Sequence, residues 1–298
     1  MTVNAILEFK NVKKNYGKKN IISELNFTVS KNEIIVLLGV NGAGKTTTIK
    51  MMLGLETPSA GSISLFGLNP TNPESRKSVG ITPQNLEFPE GIKTFEILDF
   101  IHSHYPNPKP VKEMIKKFEL SSFLHQKATK LSGGQKRRLA LALAFIGNPQ
   151  IVCLDEPTTG LDVGSRKILL EAIKEYSKNG NTVFLTTHYL DEIENIATRI
   201  IFLQDGKIIA DDTVAAIKSL ANSTRATIVF YASTHLDFAT YRHVVSFEVE
   251  ESKYTLQTHN ADALIYELVN NKVPFKNLNI IKESLESAFI NLSKGNTL

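Results

Sequence analysis

Three glycines, a lysine and a threonine lie between an apolar run and a periodic run in the first sixth of the chain. The stretch reads "LLGVNGAGKTTTIKMML" and matches the spacing G-x-x-x-x-G-K-[ST] at Gly39, Gly42, Gly44, Lys45 and Thr46. Glycines let a loop wrap closely around an anion with its N–H groups turned inward, and a helix beginning near Lys45 adds the positive end of its dipole. The stretch therefore predicts a phosphate-binding loop.

This loop has the chemistry needed to hold a triphosphate. Lys45 would reach the β- and γ-phosphates, and the Thr46 hydroxyl would bind the Mg²⁺ that accompanies ATP. A flexible turn between strand and helix is the alternative, which a complete motif in this context disfavours. The predicted binding set is Gly39, Asn41, Gly42, Ala43, Gly44, Lys45, Thr46 and Thr47.

Two acidic residues end another apolar run, in "IVCLDEPTTGLD". Residues 151–154 predict a buried strand, and open parallel sheets bind ligands at the carboxyl ends of their strands. We therefore expect Asp155 to bind Mg²⁺ and Glu156 to be the general base for an attacking water. Taken alone, the same pair could be an ordinary turn.

A third segment, "LSGGQKRRLALALAFIGNPQ", predicts a second helix N-terminus suited to an anion. Ser132 can cap this helix, and Gly133 and Gly134 permit close backbone approach. The apolar periodicity runs until Gly147. A plain capped helix is the alternative for this segment in isolation.

Together these motifs resemble those of the ATP-binding subunits of ABC transporters. The resemblance rests on the loop at 39–46, "LSGGQ" at 131–135 and "LDEPTTGLD" at 154–162, in that order and spacing. It implies that ATP is sandwiched between two such domains. Ser132, Gly134 and Gln135 would then contact the γ-phosphate that the other protomer's loop holds.

The resemblance gives roles to four further residues. Tyr16 matches the aromatic residue that stacks on adenine, and Gln84 matches the glutamine that senses magnesium and links to the membrane partner. Asp162 matches the aspartate that joins the two active sites, and His188 matches the histidine that contacts the γ-phosphate. The sequence departs from the family pattern at Val40, where proline is common, and this residue faces no chemistry that we identify.

The elements that position these residues predict an α/β fold: a P-loop NTPase core with a mainly parallel sheet, an antiparallel β edge and a helical subdomain. "ILEFKNV" and "IISELNFTV" read as alternating strands, and the later apolar strands alternate with helices. We expect the ATP-binding domain to span 1–220, with the helical subdomain at about 88–148. In the family, this subdomain receives the cytoplasmic helices of the permease.

Residues 221–298 predict a small accessory α+β domain, with strands in "ATIVFYA", "HVVSFEVEE" and "KYTLQTH" and a helix in "ADALIYELVNNK". A closing helix is expected in "SLESAFINLSK". Its Leu285, Glu286 and Phe289 resemble the C-terminal end of ATPases from bacterial drug, antibiotic and peptide exporters, whose permease is a separate polypeptide. Packing on its own domain would leave the same pattern, and dimer contact or regulation is a further alternative.

Composition agrees with a globular protein. The 298 residues are 42% hydrophobic and 21% charged, and the longest apolar runs are too short to cross a bilayer. Cys153 is expected to be an inert core residue, and His102 and His104 to be solvent-exposed rather than metal ligands. The net charge of +4 argues only weakly for a polyanionic partner. The five lysines in residues 1–20 are interpreted first as a solvated face, second as a contact to an anionic membrane surface and third as a contact to nucleic acid.

We therefore expect an ATPase that works as a pair, a homodimer first and a heterodimer second, on a separate membrane permease, and that couples ATP binding and hydrolysis to substrate export. It is expected to lie peripherally at the cytoplasmic side of the cell membrane. A soluble ABC-type ATPase acting on chromosomes, damaged DNA or ribosomes is the rival. Chromosome-type relatives carry a long coiled coil between loop and signature, whereas Lys45 and Asp155 are 110 residues apart here. A regulator without turnover is disfavoured by Glu156 and His188.

Overall fold

The computed structural model describes residues 5–187, 190–220, 226–234 and 236–282, together with residues 285, 288 and 289. Within it the chain forms two compact units, which meet in the sequence between Thr213 and Val214. The assignment of separate functional domains, with a boundary at 220, stays a prediction.

The first unit is built on a nine-stranded sheet. Its strands are β1 (Ala5–Tyr16), β2 (Lys19–Ser30), β3 (Ile34–Leu38), β4 (Ala60–Leu65), β5 (Val79–Thr82), β6 (Ile151–Leu154), β7 (Thr182–Thr186), β8 (Arg199–Gln204) and β9 (Lys207–Asp212). They lie in the order β4-β1-β2-β9-β8-β3-β7-β6-β5. Strands β8, β3, β7, β6 and β5 pair in parallel, as the apolar runs predicted.

The central strands are buried along their whole length. All five residues of β3, all four of β6 and all five of β7 are buried, because helices cover both faces of a parallel sheet. Strands β1, β2 and β4 form the antiparallel edge, so the predicted fold class is confirmed. The run "RIIFLQDGKII" forms the antiparallel pair β8 and β9, joined by a turn at Asp205 and Gly206.

The helices of this unit lie between the strands. They are α1 (Lys45–Met52), α2 (Pro73–Arg76), α3 (Thr94–Ser103), α4 (Val111–Lys117), α5 (Gly133–Ile146), α6 (Val163–Lys178) and α7 (Leu190–Ile193). Helices α3 to α5 fill the segment between β5 and β6, where the sequence predicted a helical insertion. The centre of the Phe145 ring on α5 lies 5.7 Å from the ring centre of Phe118 and 5.0 Å from that of Tyr176 on α6. Aromatic packing therefore holds α5 against the core.

The second unit is α+β, as predicted. Its elements are α8 (Val214–Leu220), β10 (Ala226–Tyr231), β11 (Ser246–Glu250), β12 (Lys253–Thr258), α9 (Ala261–Asn270) and β13 (Lys276–Lys282). The strands form an antiparallel sheet in the order β11-β12-β10-β13. Its core gathers Phe230, Tyr254 and Leu256 from the sheet with Leu264 and Leu268 from α9.

Two features of this unit differ from expectation or lie beyond it. We did not predict β13, because the adjacent polar residues Lys276 and Asn277 and the adjacent apolar residues Ile280 and Ile281 interrupt the alternation that is typical of a strand. Most of the predicted closing helix lies outside the described residues. Of that segment, Leu285, Ala288 and Phe289 are helical.

Candidate functional site

The predicted site residues gather at one edge of the parallel sheet. The phosphate loop follows β3, Asp155 and Glu156 follow β6, and Gln84 lies two residues after β5. Strand β7 runs between β3 and β6 and ends at Thr186. Since the strands are parallel, their carboxyl ends lie at the same edge, which places all these groups around one point.

The loop geometry requires glycine at two positions. A Cβ on Gly39 would lie 2.4 Å from the carbonyl oxygen of Leu203, and one on Gly44 would lie 2.4 Å from Cδ1 of Ile22. Gly44 also has φ of 108°, in the left-handed region, and is the N-cap of α1. Close backbone approach and left-handed geometry shape this loop, as expected for a cradle of N–H groups.

Lys45 is buried and its Nζ donates hydrogen bonds to the carbonyl oxygens of Gly39, at 2.7 Å, and Val40, at 3.2 Å. Burial lowers the pKa of Lys45, while the charges of Glu156 and Asp155 act in the opposite direction. A buried ammonium among carbonyl oxygens and two carboxylates is a strong local field. An anionic group in the loop would complement it.

The remaining loop residues vary in exposure. Ala43 is buried and its N–H donates to the Val40 carbonyl at 3.1 Å. Asn41 and Gly42 are exposed; Thr46, in the first turn of α1, is exposed and Thr47 is half-buried. Exposed hydroxyl and N–H groups at this helix end remain accessible to a ligand.

Asp155 is held by the end of the neighbouring strand. It is 5% exposed, and its Oδ1 accepts a hydrogen bond of 2.7 Å from the hydroxyl of Thr186. Burial raises the pKa of Asp155; the Thr186 hydrogen bond and the charges of Lys45 and Arg137 oppose that rise, while Glu156 adds to it. The carboxylate is thus oriented by a hydroxyl donor.

Glu156 has a backbone conformation that is unusual for glutamate. Its φ is 49°, in the left-handed region, at a cost of roughly 1 kcal/mol. Its N–H donates to the Thr186 hydroxyl at 2.9 Å, and its Oε2 accepts a 3.0 Å hydrogen bond from the amide of Gln84. The structure therefore joins two residues that the sequence assigned separately, the general base and the magnesium-sensing glutamine.

The signature segment begins α5. Ser132 is the N-cap: its hydroxyl accepts from the N–H of Gln135 at 3.3 Å, and the Gln135 side chain accepts from the Ser132 N–H at 2.9 Å. Gly133 faces open space, and a Cβ on Gly134 would lie 3.7 Å from the Gly160 carbonyl oxygen. This segment thus lies beside the loop that follows Glu156, with its capped N-terminus at the surface.

Asp162 caps the next helix. Its carboxylate accepts hydrogen bonds from the N–H of Ser165, at 2.8 Å, and from the Ser165 hydroxyl, at 3.2 Å. The hydrogen bond from the Ser165 N–H lowers the pKa of Asp162 the most, and the bond from the Ser165 hydroxyl also lowers it. Asp162 therefore has a structural task in this chain, and its predicted role between two active sites stays a prediction.

Tyr16 lies at the end of β1 with its ring 45% exposed. Its hydroxyl donates to Glu56, which also forms ion pairs with Lys14 at 3.4 Å and Lys50 at 3.5 Å. The ammonium of Lys14 lies 5.0 Å from the centre of the Tyr16 ring. Burial raises the pKa of Tyr16, as do the hydrogen bond and the charge of Glu56, while the Thr47 side chain opposes that rise.

Of the predicted catalytic residues, His188 lies outside the residues that the structure describes. Three residues with clear contacts in the site were missed from the sequence: Thr186, Arg137 and Glu56. Thr186 is the last residue of a buried strand, where a polar side chain is a usable signal. Arg137 sits in "KRR" and reads as a solvated charge, yet it is 5% exposed.

These residues fit magnesium and a nucleotide. Within the described part of the chain, no group of three or more His, Cys, Asp or Glu side chains gathers to hold a metal. Magnesium, however, commonly takes one or two carboxylates and completes its shell with water and substrate phosphates. Asp155 and the Thr46 hydroxyl carry oxygen atoms of the kind that Mg²⁺ prefers, and the buried Lys45 would supply the countercharge for phosphate.

The fold and this site together define the chain as a P-loop nucleotide-binding protein of the α/β class. A family profile described as "ABC transporter" matches residues 22–159. The chain is 38% identical over 224 residues to a Nod factor export ATP-binding protein I of Burkholderia lata, covering 72% of each protein. It is also 38% identical over 214 residues to the protein of the same name from Rhizobium etli, covering 69% of this chain and 67% of that one. The chain belongs to the family of ABC transporter ATP-binding proteins, which are ATPases.

Solved structures agree with this placement. The ATP-binding subunit of an ABC transporter is 28% identical and superimposes with a TM-score of 0.68, covering 72% of this chain and 92% of that one. A dimeric ATP-binding cassette in a post-hydrolysis state, bound to ADP and Pi, has a TM-score of 0.63 at 24% identity, covering 70% of this chain and 98% of that one. At that identity the second likeness speaks for the fold alone.

Proposed function

We propose that this chain binds and hydrolyses MgATP as one half of a dimer, and that this cycle drives export through a separate membrane permease. The observation that carries the proposal is the meeting of Lys45, Asp155, Glu156 and Gln84 at one edge of the parallel sheet. In this arrangement, a group that binds phosphate, a metal ligand and a base lie within reach of a single bound triphosphate.

Binding is the task of the loop and of the residues beside it. The N–H groups between Gly39 and Thr47 cradle the phosphates, and Lys45 pairs with the β/γ oxygens in place of the loop carbonyls that it now contacts. Thr46 and Asp155 would hold Mg²⁺, which supplies charge neutralisation on the phosphates. Tyr16 provides the exposed ring on which an adenine can stack.

Hydrolysis requires a base for water, and Glu156 is placed for it. Its carboxylate takes a proton from the attacking water, while the Gln84 amide and the Thr186 hydroxyl fix the side chain and the backbone of Glu156, respectively. His188 is proposed as a contact to the γ-phosphate.

The signature segment is proposed to act across a dimer. Ser132, Gly133, Gly134 and Gln135 form a capped helix N-terminus at the surface, a place where anions bind well. A paired arrangement is what the resemblance of the three motifs to ABC transporter subunits implies. In such a pair, this segment would face the phosphates held by the partner, and Asp162 would lie between the two sites. Either two copies of this chain or this chain and a related one could form the pair.

Export through a permease is supported by the relatives, which are named as Nod factor export ATP-binding proteins. Among the described residues, no helix has both the length and the apolar character to span a bilayer. Because the relatives are named as export ATP-binding proteins, we propose that the chain lies at the cytoplasmic face of the membrane, held there by a permease subunit. The rival action on chromosomes is disfavoured, since the helices between β5 and β6 are short, with α5 the longest at 14 residues.

Separation of binding from turnover tests this proposal. Lys45→Ala should weaken ATP binding because it removes the cation at the phosphates, whereas Glu156→Gln should keep binding and slow phosphate release by roughly 10²–10⁴-fold. Glu171→Gln, an exposed glutamate on α6, is the matched control and should behave as the unaltered chain. An equal loss of affinity in the Lys45 and Glu156 variants would refute the roles.

The composite site has its own test. A chain with Ser132→Arg and a chain with Lys45→Ala are each expected to be inactive alone. Mixed, they form one site in which loop and signature are both intact, so part of the ATPase activity should return. If verified mixed dimers recover nothing, sharing across the dimer is wrong.

A further inference from the structure

Arg137 occupies an unusual position for a charged side chain. It lies in the second turn of α5, the helix that the signature segment begins, and only 5% of it is exposed. Buried guanidinium groups are rare unless hydrogen bonds or opposite charges compensate them. Burial lowers the pKa of Arg137, and the negative charges of Asp155 and Glu156 oppose that shift.

The hydrogen bonds of Arg137 go to the backbone of the segment that carries Gln84. One terminal nitrogen donates to the carbonyl oxygen of Pro83 at 3.0 Å, and the other donates to that of Gln84 at 3.1 Å. These two oxygens belong to the peptide planes on either side of the Gln84 Cα. A planar guanidinium that holds both planes fixes the direction in which the Gln84 side chain leaves the backbone.

The direction matters because of what Gln84 contacts. Its amide donates to Oε2 of Glu156 at 3.0 Å, and Gln84 itself is exposed, so little packing orients it. Arg137 constrains the orientation of Gln84 instead, because it holds the carbonyl groups of Pro83 and Gln84. The tie therefore runs from α5 through Arg137 and Gln84 to Glu156.

We propose that Arg137 is a positioning residue for hydrolysis: it aims Gln84 at Glu156 and couples the orientation of the signature helix to the base. This inference rests on the proposed function. Arg137 touches neither nucleotide nor water in this account, so its loss should lower turnover without a comparable loss of ATP binding.

The test compares kcat and ATP affinity in Arg137→Gln and Arg137→Lys. The kcat of the glutamine variant should fall by about 10- to 100-fold, a range typical for residues that orient a functional group without touching the substrate. Its ATP affinity should stay within about threefold of that of the unaltered chain. The lysine variant keeps the charge and one donor, so it should lie between the glutamine variant and the unaltered chain. If Arg137→Gln fails to fold, Arg137→Lys carries the same test.

Lys117→Gln is the matched control, because Lys117 on α4 also ties this helical segment to α6, through a 3.0 Å bond to Glu175 that is remote from Gln84. It should leave kcat unchanged. The double variant with Gln84→Ala should lose no more than Gln84→Ala alone, since both changes break one path.

Three results would overturn the inference: unchanged kcat in the Arg137 variants, losses that multiply in the double variant, or an equal loss in Lys117→Gln. Failure of the proposed function looks different, because the unaltered chain would then release no phosphate from ATP.

Discussion

Thr186→Val removes one hydroxyl that serves both acidic residues of the site. Thr186 is fully buried, donates to the Asp155 carboxylate at 2.7 Å and accepts from the Glu156 N–H at 2.9 Å. Valine has the same shape, so the change deletes the two bonds without leaving a cavity. The structure offers a close control on the same strand: Thr182 is also fully buried, donates to the Ser30 carbonyl at 3.2 Å and accepts from the Asn32 N–H at 3.0 Å.

The two threonines differ in their acceptor, a carboxylate in one case and a neutral carbonyl in the other. A hydrogen bond to a charged group contributes about 1.5–3 kcal/mol and one between neutral groups about 0.5–1.5 kcal/mol. Thr186→Val should therefore destabilise the folded unit by about 1 kcal/mol more than Thr182→Val at pH 8, equal to about 2–4 °C in Tm for a unit of this size.

The excess should depend on pH in a defined direction. Burial already raises the pKa of Asp155, and loss of the Thr186 bond, which lowers it, should raise it further. A folded-state pKa above the unfolded value means that the cost of the buried carboxylate is present at high pH and disappears as pH falls through the raised pKa. The difference in destabilisation between Thr186→Val and Thr182→Val should therefore shrink on acidification. Taking this difference removes the contribution of groups that titrate alike in both variants.

The assay is scanning calorimetry of both variants across pH 5–8. The chain has two compact units, so the relevant transition is first identified in the unaltered chain as the one that MgATP shifts upward. An equal loss of stability in Thr186→Val and Thr182→Val at every pH would refute this description of Asp155. A stability difference between them that grows on acidification would refute it as well.

Substitutions at Gly44, Glu56 and Gln84 should affect stability, ATP binding and stimulation by the permease, respectively. Gly44→Ala should destabilise the chain by about 1–3 kcal/mol more than Gly42→Ala, because a Cβ at 44 clashes with a core isoleucine while one at 42 faces open space. Equal thermal denaturation curves for the two variants would contradict this. Glu56→Gln should raise the Kd for ATP about two- to fivefold at unchanged kcat, since it loosens the tyrosine proposed to stack on adenine; unchanged titration curves would contradict it. Gln84→Ala should reduce stimulation by a co-expressed permease more than it reduces ATP affinity, and an equal loss of both would count against its linking role.

The sequence predicted most of the first unit because its signals are local and strong. Continuous apolar runs marked β3, β6 and β7, and Ser132 with Gln135 marked a helix start that the structure forms as a capping box. The gathering of the motifs at one edge followed from parallel pairing, which the alternation of strands and helices predicted.

The parts that the sequence did not predict depend on contacts between distant segments. Arg137 looked like a surface charge because its burial is set by Pro83 and Gln84, 54 and 53 residues away. The bond between Gln84 and Glu156 likewise requires knowing which strands are neighbours. β13 was missed since its half-polar sequence gives a weak strand pattern, and its pairing with β10 decides its conformation.

Co-purification with a membrane partner is the decisive test of whether this chain is the ATPase subunit of an exporter. A tagged chain is co-expressed with a candidate permease of about six hydrophobic spans, extracted in detergent, and assayed for ATPase activity before and after reconstitution. We expect the chain to be recovered with the permease, its slow ATPase activity to rise in the complex, and Lys45→Ala to abolish the activity. A chain that binds no co-expressed permease and sediments instead with ribosomes or DNA would contradict this expectation.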